Sequence, residues 1–266
     1  VITELSGLEQ TVAFTFLLVF FAMAAAAVFL FAERGHVAEE FRVSVAVSAL
    51  VCAIAAGNYW FMRGIYVEGA TAGTGAFPTE FRYIDWFLTV PLMIALFPAH
   101  LGLGRRGRAF LTWLIVASLL MLTAGYVGEI NPDDPVLHLG GWAVGCLAGL
   151  GLYVPLFLSL RRLPARVPRH TVVTIRAMTA LVLLGWTVYP LGYLQPALGF
   201  LPDVRELLYN VGDAVNKVGL GVLVYLGGRA AARTRDAATA TAGPAAATGA
   251  RASTRSPAES LLASRN

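Results

Sequence analysis

Apolar residues fall in seven long blocks along this chain, at residues 11–32, 43–62, 81–97, 109–127, 139–160, 171–193 and 204–228. Each is close to the ~20 residues that a helix needs to cross the hydrocarbon core of a bilayer. Polar, Gly- and Pro-bearing joints separate them: Glu33-Arg34-Gly35, the Gly/Thr-rich residues 69–75, residues 102–107, Asn131-Pro132-Asp133-Asp134-Pro135 and residues 163–168. The first block is too long, and too weakly basic in front, to be a cleaved signal peptide. This pattern predicts an all-α membrane protein, a bundle of seven transmembrane helices occupying residues 1–230. Beyond residue 231 the composition turns to Ala, Thr, Arg and Ser with Gly and Pro, which predicts a disordered tail over residues 231–266.

Composition sharpens the class. Of 266 residues, 57% are apolar and 14% charged, with a mean hydropathy of +0.67. A soluble domain carries about 25% charged residues, so an ordinary cytosolic enzyme, a disordered chain and a nucleic-acid binder are excluded. The pI of 9.3 and net charge of +4 reflect where the arginines lie. Arg105, Arg106 and Arg108 follow the third block, Arg161, Arg162, Arg166, Arg169 and Arg176 join the fifth to the sixth, and Arg229, Arg233 and Arg235 follow the seventh. The opposite loops carry Glu68, Glu80, Glu129, Asp133, Asp134, Asp203 and Glu206. The positive-inside rule then places the N-terminus outside and the C-terminus in the cytoplasm, with the basic side facing anionic lipid headgroups. Cys52 and Cys146 sit inside apolar blocks, with no disulfide framework and no metal-ligand spacing.

Of the 20 basic residues 19 are arginine, and the one lysine, Lys217, lies midway along the seventh block. A charge at the bilayer centre costs about 2.5 kcal/mol or more, which marks the residue as functional by default. Asp213, four residues earlier, shares its helix face. Two readings follow from the residues: a structural ion pair that pins helix packing, or a lysine whose desolvated amine condenses with an aldehyde, with Asp213 as counterion. In the third block Arg82, Asp85 and Thr89 put a cation, a carboxylate and a hydroxyl on one stripe. In the expected topology both blocks run inward, so the two carboxylates stand at or just outside Lys217 and Arg82 further out.

These motifs resemble the microbial (type 1) rhodopsins. Arg82-Tyr83-Ile84-Asp85-Trp86 with Thr89 and Pro91 is similar to that family's third helix. So, for its sixth and seventh helices, are Gly185-Trp186-Thr187-Val188-Tyr189-Pro190-Leu191-Gly192-Tyr193 and Leu208-Tyr209-Asn210-Val211-Gly212-Asp213-Ala214-Val215-Asn216-Lys217. Met62-Arg63-Gly64 and Gly125-Tyr126-Val127-Gly128-Glu129 point to the proteorhodopsin-like bacterial branch, and the resemblance spans residues 8 to 230. It implies all-trans retinal bound covalently to Lys217 as a protonated Schiff base, with Asp85 and Asp213 as counterions, Asp85 as primary proton acceptor, and Arg82 moving with its charge. It implies a pocket in which the polyene lies between Trp86 and Trp186, completed by Tyr83, Tyr189 and Pro190 with Met93 nearby, where an apolar residue suggests green absorption.

The implied activity is transport of protons driven by light, outward across the inner (plasma) membrane, by a multi-pass protein that is not an enzyme. The alternative is a sensory photoreceptor signalling through a partner protein. Two departures from the family pattern bear on the mechanism. The position eleven after Asp85, which in many pumps holds a carboxylic proton donor, is Leu96, and His100 one turn later is read as a helix cap rather than a substitute. Asn58 stands near where proteorhodopsins often carry a histidine that bonds the acceptor. The resemblance further implies a homo-oligomer, trimer to hexamer. It also raises a carotenoid antenna beside Gly145, for which a packing glycine is the favoured reading, and Glu206 as an aid to proton release, for which a solvated loop acid is the default.

Overall fold

The structure, a computed structural model, describes residues 5–73, 77–101, 105–161, 163, 167–195, 198–199 and 201–242. Among them there is no strand, and the chain forms α1 (Gly7–Glu33), α2 (Glu39–Ala72), α3 (Arg82–His100), α4 (Arg105–Glu129), α5 (Pro135–Arg161), α6 (Arg169–Gly185), α7 (Val188–Leu194) and α8 (Pro202–Ala242). Helices α6 and α7 make one crossing, Arg169–Leu194, so the bundle has seven. Six crossings are apolar enough to be read as membrane spans on hydropathy alone. The seventh, α8, falls short because it carries Asn210, Asp213, Asn216 and Lys217 on its buried face.

Local chemistry sets the helix ends. Ser6 and Glu9 close a reciprocal capping box on α1, with Glu9 Oε2 accepting from Ser6 N at 2.8 Å and Ser6 Oγ from Glu9 N at 3.3 Å. Helix α2 stops at Gly73, whose φ of 64° is left-handed. It runs to Ala72, well past residue 62 where the apolar block ends, and its last turns are held by Tyr66 donating to Asp203 Oδ1 at 2.8 Å.

The sixth span was expected as one helix and is two. Pro190 has no N–H for the Trp186 carbonyl and its ring crowds that oxygen; Trp186 O is bonded instead by Tyr189 N at 3.2 Å, a tighter turn that ends α6 at Gly185. The tail expectation is also corrected. Residues 231–242 continue α8 as helix, because an Ala-rich segment propagates a helix already formed and Arg235 Nη2 pairs with Glu40 at 3.0 Å. Residues 243–266 of that tail, and Arg162 and Arg166 of the basic joint, lie outside the described residues.

Neighbours pack in the order α1–α2–α3–α4–α5–α6/α7, and α8 closes the ring against α1, α2, α6 and α7. The distribution of polarity is that of a protein dissolved in lipid. Outward faces are apolar, with Val28, Val43, Val136, Leu147 and Leu184 exposed, whereas Arg82, Asp85, Asp213 and Lys217 are each at most 2% exposed. Hydrocarbon cannot satisfy such groups, so the bundle turns them inward.

Candidate functional site

The Lys217 ammonium lies between two carboxylates, 2.6 Å from Asp85 Oδ2 on α3 and 3.0 Å from Asp213 Oδ2 on its own helix. The four-residue spacing on α8 supplies one partner and the α3–α8 proximity the other. The two carboxylates are held differently. Asp213 accepts from Tyr59 Oη at 2.9 Å, Tyr189 Oη at 2.6 Å and Trp86 Nε1 at 3.3 Å. Asp85 Oδ1 is buried with no hydrogen-bond partner, and Thr89 Oγ1 donates to the Asp85 backbone oxygen at 3.0 Å. Asn58 reaches neither: it donates to Phe81 O at 3.3 Å.

From this cluster toward the end of the bundle where α8 begins, the charges alternate. Arg82 donates through Nη1 to Tyr59 Oη at 2.9 Å, through Nη2 to Glu206 Oε2 at 2.7 Å, and through Nη2 to Asn210 Oδ1 at 2.7 Å. Glu206 accepts from Thr79 at 2.7 Å and from Arg205 Nε at 3.3 Å, and Arg205 Nη1 reaches Glu129 at 2.9 Å. Glu206 is 1% exposed, so the reading of it as a solvated loop acid is corrected: α8 begins at Pro202, one turn before it, and turns it into the bundle. Three buried cations (Lys217, Arg82, Arg205) thus alternate with four carboxylates (Asp85, Asp213, Glu206, Glu129). Each would be costly alone and is compensated by its neighbours.

On the other side of Lys217 opens an apolar cavity of about 330 Å³, at the lower end of small-molecule sites, ~300–1,000 Å³. Trp86, Trp186, Tyr83, Tyr189, Pro190 and Met93 all line it, so the structure brings together all the pocket residues that the sequence singled out. A Cβ on Gly125 would stand 2.7 Å from Tyr83 Oη, so a side chain there would have to displace that ring. Gly145 also lines the cavity, and a Cβ there would lie 3.4 Å from Met121 O, an ordinary van der Waals contact. A narrow aromatic slot ending at a buried primary amine, with an orphaned carboxylate oxygen beside that amine, fits a long apolar aldehyde such as retinal.

Sequence reasoning missed Tyr59, Asn210, Asn216, Thr79, Arg205 and Glu129 as members of this array. A signal existed for two: Asn210 and Asn216 fall three residues either side of Asp213, on one helix stripe with Lys217. Tyr59 carries no such mark, since a tyrosine in an apolar helix reads as packing.

Residues 10–229 match the family described as bacteriorhodopsin-like protein. The chain is 34% identical over 219 residues to the green-light absorbing proteorhodopsin of Gamma-proteobacterium EBAC31A08, an alignment covering 79% of this chain and 84% of that one. Its fold is similar to that of Exiguobacterium sibiricum rhodopsin, with a TM-score of 0.76 and 33% identity over 85% of this chain and 98% of the other. It is also similar to xanthorhodopsin, described as a light-driven ion pump with dual chromophore, with a TM-score of 0.78 and 25% identity over 87% and 97% of the two chains.

Proposed function

Because the chain belongs to the bacteriorhodopsin-like family, on its proteorhodopsin-like bacterial branch, we propose that it is a light-driven proton pump that exports protons across the plasma membrane. The single observation that carries this reading is the Lys217 amine held against Asp85 at 2.6 Å at the end of an apolar aromatic cavity. Lys217 Nζ is the attachment point for retinal, which when bound supplies light absorption and a change of shape at that nitrogen.

The proton held at Lys217 Nζ passes to Asp85. Asp213 has its oxygens engaged by Tyr59, Tyr189 and Trp86, whereas Asp85 keeps an unpartnered oxygen, so Asp85 is the carboxylate with room for a proton. Once Asp85 is neutral, its pull on Arg82 is gone and the guanidinium shifts toward Glu206, which it already contacts. That shift lets the Glu206, Thr79 and Asn210 cluster pass a proton outward. By the positive-inside rule the arginine-rich joints support a reading in which this end of the array faces outside. Net export requires that Lys217 be reprotonated from the cytoplasmic side, and because moving one charge against 100 mV costs about 2.3 kcal/mol the cycle needs a switch of access and not merely proton transfer. Leu96, buried at the family's donor position, holds no proton for it. Apolar outer faces suit assembly with copies of the same chain, and a ring of three to six follows the family.

The test is the light-induced pH change of a suspension of retinal-supplied cells making this chain, with and without a protonophore. Acidification abolished by the protonophore is the expected result; a coloured protein with no pH change would move the reading to a sensory photoreceptor. Recovery after a flash is expected to slow as pH rises, because fewer protons are available on the cytoplasmic side, and azide is expected to accelerate it. Fast recovery indifferent to both would mean a stored donor in the cytoplasmic half.

A further inference from the structure

Leu96 removes the stored acid from the cytoplasmic half of the bundle, yet that half carries a polar stripe of its own. On α2, Ser44, Ser48 and Cys52 recur every fourth residue and are all at most 3% exposed. Ser48 Oγ donates to Ser44 O at 2.9 Å. Ser48 faces α8 at Gly221, where a Cβ would stand 3.3 Å from its own, and Gly221 lies one helical turn beyond Lys217.

At the other end of the stripe His100, 7% exposed, meets Ser44 with Nε2 and Oγ 2.9 Å apart, and its ring stacks on Phe41 at 4.4 Å. The end of α3 is closed by Leu101 N donating to Phe97 O at 3.2 Å. His100 is therefore not a cap for its own helix; it bonds across to α2. One turn before Ser44, toward the cytoplasmic surface, is Glu40, exposed and paired with Arg235. His100 thus bonds to the outer end of a stripe of buried hydroxyls that leads toward the α8 turn following Lys217, with the surface carboxylate of Glu40 one turn beyond Ser44 on the same helix.

Resting on the pump reading above, we propose that His100 is the cytoplasmic proton-relay residue of this protein. A hydronium ion arriving from the cytoplasm past Glu40 gives its proton to Nδ1 and leaves as water, Nε2 gives its proton to Ser44 Oγ, and the Ser44 hydroxyl proton moves on by water past Ser48 to Lys217 Nζ. One proton enters and one leaves, no electrons move, and the ring resets by exchanging tautomers. A neutral imidazole relays without storing, so recovery remains slower than with a resident carboxylic acid but faster than with no relay.

The experiment is flash-induced absorbance recovery of the full-length, retinal-loaded protein and two variants. His100→Gln keeps a side-chain bond to Ser44 but cannot pass a proton through, and Ser44→Ala removes the receiving hydroxyl. Both are expected to keep the wild-type absorption band, to recover about tenfold more slowly or worse, a modest share of what proton-transfer groups contribute, and to regain the wild-type rate with azide. His100→Gly is expected to regain it with added imidazole. Wild-type recovery in His100→Gln and Ser44→Ala, or slowed recovery that neither azide nor imidazole restores, overturns the relay. Should one variant yield no pigment, the other decides. Absence of pigment or acidification in the wild-type chain would instead overturn the pump reading.

Discussion

At Glu206 two arginines meet on one buried carboxylate: Arg82 at 2.7 Å and Arg205 at 3.3 Å. Removing Glu206 leaves Arg82 buried without its carboxylate, whereas Arg205 keeps Glu129 at 2.9 Å; breaking a buried pair in this way costs about 3–5 kcal/mol. Glu206→Gln keeps the shape and some hydrogen bonds, so the expected loss is near the lower end, about 3 kcal/mol, which for a chain of this size lowers a thermal midpoint by about 6–12 °C. Thermal bleaching of the pigment measures it, and an unchanged midpoint would mean that water or a loop carboxylate compensates Arg82. The same residue shows where sequence reasoning ends at this scale. Lys217, Asp213, Asp85 and Arg82 stand out because a charge inside an apolar block has no cheap explanation. Glu206 lies at a block's edge, where solvation is the cheap explanation, and only the inward turn of α8 removes it. Tyr59 is illegible for the converse reason, since its ring satisfies the packing of α2 while its hydroxyl bridges Arg82 and Asp213.

Helices place these residues through a few close approaches, and one of them, the α3–α4 contact at Gly125, borders the cavity. A Cβ 2.7 Å from Tyr83 Oη forces that ring to move, and the cavity is the open space next to it. Overpacking of this kind costs about 1–3 kcal/mol, so Gly125→Ala is expected to weaken retinal binding about five- to 150-fold. Titration of the apoprotein with retinal measures this; unaltered binding would show that Tyr83 yields away from the cavity. Element boundaries were legible where the apolar period alone decides them and not where local chemistry or a distant partner does. Seven crossings follow from block length. The break after Gly185 depends on Pro190, a signal present in the sequence but overridden by the long apolar run around it. The reach of α2 to Ala72 depends on Tyr66 finding Asp203, and the reach of α8 to Ala242 on Arg235 finding Glu40, contacts between residues more than a hundred positions apart.

The whole molecule is polarised. The buried array from Lys217 and its carboxylates, through the Tyr59 hydroxyl to Arg82, Glu206, Arg205 and Glu129, leaves the bundle at the end where α4 stops and α8 begins, while His100, Glu40 and Arg235 sit at the end where α3 stops and α2 begins. Direction of transport is therefore tied to how the chain threads the membrane, and one topology measurement tests both. The arginine-rich joints predict that the end bearing Arg229, Arg233 and Arg235 is cytoplasmic. Trypsin added to right-side-out spheroplasts is then expected to leave the C-terminal segment intact, and to remove it only after the membrane is inverted. In the same inverted vesicles light is expected to acidify the interior. Cleavage from outside would reverse the assigned orientation, and with it the sense of the array, making the same geometry a pump that drives protons inward.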